Sequence, residues 1–144
     1  MLNISLCKRL ALGLTLAGAA TLASAEVAVI VNPKSATGSM TAEQVSAIFL
    51  GKVGTLPSGA TAAMADQPEG SPVYEQFYGK VTGKTGAQVK AAWSRLTFSG
   101  KATPPKPLAS SAEVKKFVAA NPDAIGYIEK SAVDGTVKSV LVAD

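Results

Sequence analysis

The 144-residue chain carries 14 Lys+Arg against 10 Asp+Glu, a formal net charge of +4, with no histidine and one cysteine, Cys7. These counts exclude Ser-His triads, Cys-His pairs and the usual zinc sites. Outside the first 25 residues, any chemistry would rest on carboxylates, lysines, Arg95 and tyrosines.

Lys8 and Arg9 precede an apolar run from Leu10 to Leu22, and Ala23-Ser24-Ala25 follows with the small-x-small pattern of a secretory cleavage site. Residues 1–25 are therefore expected to be a cleaved signal peptide, with retention as an anchor the alternative; contact with the membrane is expected only before cleavage. Residues 26–144 suit one domain with its own core. Loss of Lys8 and Arg9 leaves 12 basic against 10 acidic residues, a formal charge of +2, and removes the only thiol. Lys115-Lys116, the nearest approach to a basic cluster, reads as a solvated helix face, so no nucleic-acid partner is expected.

The β-branched run Val27–Val31 reads as a buried central strand, stopped by Asn32-Pro33. Thr41 and Gln44 form a capping box ahead of a helix bearing Val45, Ile48 and Phe49 and ending near Gly51. Thr61–Ala65 is a weaker strand. A helix starting after Ser71 places Val73, Phe77 and Val81 on one stripe, with Tyr74 and Tyr78 packing beside them. Thr85 and Gln88 repeat the capping box before Val89, Ala92, Trp93 and Leu96; Ser110 and Glu113 supply a third before Val114, Phe117 and Val118. Between these two helices, Ser99–Pro107 reads as a long surface loop because of its prolines and glycine. Ala124–Ile128 is a strand whose Gly126 implies close backbone approach, and Val137–Val142 is the last strand after the Asp134-Gly135 turn. The alternation predicts an α/β fold with a mixed β-sheet flanked by helices.

The candidate site is the turn Asp66-Gln67-Pro68-Glu69-Gly70-Ser71-Pro72. Ser71 suits the N-cap, Pro72 the first helical position, and Gly70 a tight turn before them. A helix N-terminus there would present unpaired N–H groups and the positive end of the helix dipole to an anion. The alternative is that Ser71 only caps its own helix. Asp66 and Glu69 read as solvated or capping carboxylates rather than an acid–base pair. The turn also lies at the carboxyl end of a strand, where open α/β sheets place their ligands.

Three motifs in order, Ile48-Phe49-Leu50-Gly51-Lys52, Pro68-Glu69-Gly70-Ser71-Pro72 with Phe77 downstream, and Ala124-Ile125-Gly126-Tyr127, resemble the phosphate-binding proteins of bacterial ABC importers. The resemblance implies a short, single-lobe, three-layer-like member of the type 2 periplasmic-binding superfamily, similar chiefly to the second lobe. In that family the turn reads Arg-x-Asp-Gly-Ser-Gly-Thr, and its arginine, serine, glycine and threonine contact phosphate. Position by position, the arginine falls on Gln67, the aspartate on Glu69, the first glycine on Gly70, the serine on Ser71, the second glycine on Pro72 and the threonine on Val73. The lost arginine removes a bidentate charged contact, and Pro72 lacks an N–H. Lys101, Arg95 or Lys52 could replace the missing charge, with Lys101 taken as the ligand-binding candidate.

The resemblance implies a periplasmic or secreted solute-binding module for phosphate or a similar small oxyanion, weakly held, with an ABC permease or another envelope protein as partner. The alternative is an envelope interaction or sensory domain that no longer binds an anion. No catalytic residue, metal or cofactor is expected, and catalysis is the least supported class.

Overall fold

The computed structural model describes residues 26–144; the expected signal peptide lies outside the described residues. Five strands, β1 (Val27–Val31), β2 (Ala63–Asp66), β3 (Lys106–Pro107), β4 (Ala124–Glu129) and β5 (Lys138–Ala143), form one mixed sheet in the order β3-β2-β4-β1-β5. β2 runs parallel to both β3 and β4, whereas β1 is antiparallel to β4 and β5. Every residue of β1 is buried because strands flank it and helices cover both its faces, as its unbroken apolar run predicts.

The two faces bury different partners. Val27, Val29 and Val31 pack with residues of α1 (Ala42–Phe49), α2 (Pro72–Phe77) and α3 (Gly86–Phe98). Ala28 and Ile30 face α4 (Ser111–Ala120) through Val114 and Val118. Gly126 permits that second contact: a Cβ there would lie 2.6 Å from Val114 Cγ1. On the first face, Trp93 donates its indole N–H to the Phe49 carbonyl at 2.8 Å, tying α3 to the end of α1.

The Thr41/Gln44 and Thr85/Gln88 capping boxes form in both directions. The third forms only in part: Ser110 Oγ accepts from the Glu113 N–H at 3.3 Å, but the Glu113 carboxylate accepts from Ala109 rather than Ser110. Two features depart from the sequence expectations. The segment read as a continuous loop contains β3, because Lys106 keeps the backbone N–H that its prolines lack and the segment lies in register beside Ala65 and Asp66. The helix after Ser71 also does not continue as α-helix; Tyr78–Thr82 is a π-helical turn ending at Gly83 with φ +70°.

Candidate functional site

The turn follows β2 directly, at the carboxyl edge of the parallel part of the sheet. Gly70 adopts φ +84°, which a β-carbon would strain, and so lets the chain double back into α2. Ser71 caps α2 as its sequence suggests, its Oγ accepting from the Tyr74 N–H at 3.3 Å, and Pro72 occupies the first helical position. The Ser71 N–H donates to Pro68 O at 3.0 Å. Val73 turns its side chain into the core. Within the described residues no hydrogen bond engages the N–H groups of Glu69, Gly70 or Val73.

Gln67 is 5 % exposed and points inward. Its Nε2 donates to Ser111 Oγ and to the Tyr127 carbonyl, each at 2.9 Å. Ser111 in turn donates to the Glu129 carboxylate. Gln67 thus joins the turn to β4 and to the start of α4, and its carboxamide donors are already satisfied.

Asp66 occupies a different setting from the solvated one its sequence suggests. Its Oδ2 accepts from Tyr78 OH at 2.8 Å, and its Oδ1 accepts from the Gln67 N–H at 2.9 Å and from Tyr127 OH. Burial raises its pKa above the ordinary aspartate value even though these three donors act in the opposite direction. Burial first, and the nearby Asp66 charge second, push both the Tyr78 and Tyr127 phenols far upward, so both stay protonated donors. Tyr74 is pushed up to about 12 by burial, then by the charges of Asp66, Glu69 and Glu75. Phe77 stacks on Tyr127 with ring centroids 3.9 Å apart, and Phe49 meets both edge-on, which fixes the phenols from behind.

Glu69 is exposed and lies 3.9 Å from Lys90 of α3. Lys101 does not reach the turn through any bond: its N–H donates to Leu96 O at the opposite end of α3, about 9 Å of helix beyond Lys90. Gly51 packs against Leu96 and Trp93, so Lys52 follows at that same distal end, where Arg95 also lies. The local cation is therefore Lys90, which sequence reasoning passed over. Tyr78, Tyr127, Ser111 and Glu129 were also missed as site residues, as were the bonds they bring to Asp66 and Gln67. Their signal lies in strand register, since Ala63 and Met64 align with Ala124 and Ile125 and thereby bring Asp66 beside Tyr127.

An open groove of about 390 Å³ lies elsewhere, between α1 and the 53–57 segment, lined by Met40, Gln44, Ile48, Val53, Leu56 and Pro57 among others. No group of three or more metal-ligating side chains occurs among the described residues. No helix among them is long and apolar enough to cross a membrane.

The fold has counterparts among solved structures. A Clostridium perfringens protein assigned as a phosphate ABC transporter substrate-binding protein, with bound phosphate, superposes with a TM-score of 0.65 at 24% identity, over 81% of this chain and 45% of that one. An ABC-type phosphate transport receptor from Vibrio cholerae gives 0.63 at 19% identity, over 81% and 46%. PstS from Borrelia burgdorferi gives 0.59 at 17%, over 81% and 47%. The chain has the fold of a periplasmic-binding-protein lobe. It spans less than half the length of each of these binding proteins. The sequence itself matches no protein-family model and no curated protein.

Proposed function

We propose that this lobe is an exported solute-binding module that takes phosphate or a similar small oxyanion at the Gln67–Val73 turn and passes it to an ABC permease or another envelope protein. One observation carries the reading: the unengaged N–H groups of Glu69, Gly70 and Val73 gather at the end of β2 in a fold shared with phosphate-binding proteins. Such donors suit an oxyanion.

Binding is weak on this reading. A hydrogen bond from a charged group contributes about 1.5–3 kcal/mol, so a missing arginine alone weakens binding by about ten- to a hundredfold. Asp66, Glu69 and Glu75 also place negative charge around Tyr74, beside the turn. Titration of residues 26–144 with phosphate and with sulfate, followed by amide NMR, tests the proposal. Saturable shifts at Glu69, Gly70 and Val73 support it, and unchanged spectra at millimolar anion reject it.

The inward bonds of Gln67 favour a second reading, an envelope interaction or sensory domain without a ligand. Crosslinking in the native envelope separates the two: one constant protein partner, recovered equally with and without anion, supports the second.

A further inference from the structure

We propose that anion binding at the Gln67–Val73 turn is coupled to protonation of Asp66, so that the module takes up a proton with its ligand and releases both as the pH rises. The inference rests on the solute-binding reading above and concerns the regulation of that same site. Asp66 is the last residue of β2, one peptide bond from the turn. Tyr127 faces its carboxylate from β4, Tyr78 from the π-helical turn, Tyr74 from α2, and Glu69 from the turn itself. None of these is a cation, and no ion pair among the described residues involves Asp66.

An anion arriving at the turn adds negative charge next to a carboxylate that no cation offsets. Its binding therefore favours the neutral carboxyl, and by reciprocity a proton on Asp66 favours the anion. The proton comes from solvent and bonds to a carboxylate oxygen; no other bond forms or breaks covalently. Protonation also changes the cluster, because the added proton takes the acceptor site that the three donors leave free and makes the carboxyl a donor. The change falls within hydrogen-bond reach of Tyr78, of Tyr127 and of the Gln67 N–H, in the first peptide of the turn.

Sulfate is the probe, because its charge stays fixed while carboxylates titrate. Calorimetry at about pH 7.5 and about pH 4.5, a span bracketing a raised carboxylate, would compare the unmodified protein with Asp66→Asn and Glu69→Gln. The expected result is binding at least about fivefold tighter at the lower pH, the lower end of ordinary coupling, abolished by D66N and retained by E69Q. The carboxyl-carbon NMR signal of Asp66 should titrate above the ordinary aspartate range, and saturating sulfate should move its midpoint higher. That second readout needs no variant to fold. Sulfate binding with the same pH dependence in D66N, or an Asp66 midpoint unmoved by bound sulfate, overturns the coupling and leaves the solute-binding reading intact. No sulfate binding at either pH in any variant overturns both.

Discussion

Gln67 Nε2 donates to the main-chain carbonyl of Tyr127 at 2.9 Å, across 60 positions of sequence. Gln67 is part of the interior. Removing it by Gln67→Ala leaves a buried carbonyl without this donor and deprives Ser111 of one of its two partners. Q67A is expected to lose about 1–3 kcal/mol of stability, read by urea denaturation with an unchanged m-value. A loss under a few tenths would mean the carboxamide is not holding the turn to β4.

Gly126 and Val114 give a second test, based on shape rather than polarity. Gly126→Ala places a Cβ 2.6 Å from Val114 Cγ1. Overpacking of this kind costs about 1–3 kcal/mol. Val114→Ala in the same chain opens the space, so the double variant should lose less than the sum of the two single losses. Strict additivity would contradict direct contact between these positions.

Trp93→Phe keeps an aromatic ring between α1 and α3 but removes the donor to Phe49 O. The expected cost is about 1–3 kcal/mol for the orphaned buried carbonyl, measured by thermal or urea unfolding. A neutral substitution would show that the ring alone secures α3.

Two carboxylates should give stability opposite dependences on pH. Asp66 is raised by burial, so its contribution is fullest below its unfolded pKa and declines as pH rises through its higher folded value. Asp134 is lowered to about 2 by hydrogen bonds from Thr136 and Lys115, so its contribution is present above its unfolded pKa and is lost as pH falls toward that value. Unfolding curves across the acid range should show the first slope removed in Asp66→Asn and the second reduced in Asp134→Ala. Exposure of Asp134 keeps the second effect small and salt-sensitive.

Local signals in the sequence found most of the fold. β1, both complete capping boxes and the Val73, Phe77, Val81 stripe depend on neighbours within one turn or one strand, and each lies where its pattern places it. The Ser71 cap and the Gly70 turn were legible for the same reason. β3 was hidden because two residues, one of them a proline, carry no period of their own; pairing with β2 creates the strand. The Asp66 cluster was hidden for a related reason. Its three donors come from the adjacent peptide, from a π-helical turn and from a strand 61 residues away, and only sheet register brings them together.

The measurement closest to the central claim is an amide-resolved NMR titration of residues 26–144 with inorganic phosphate. The account predicts saturable changes in the signals of Glu69, Gly70 and Val73, with the distal Lys101 signal unmoved. Flat signals at those three positions, or changes confined to the surface lysines, would contradict it.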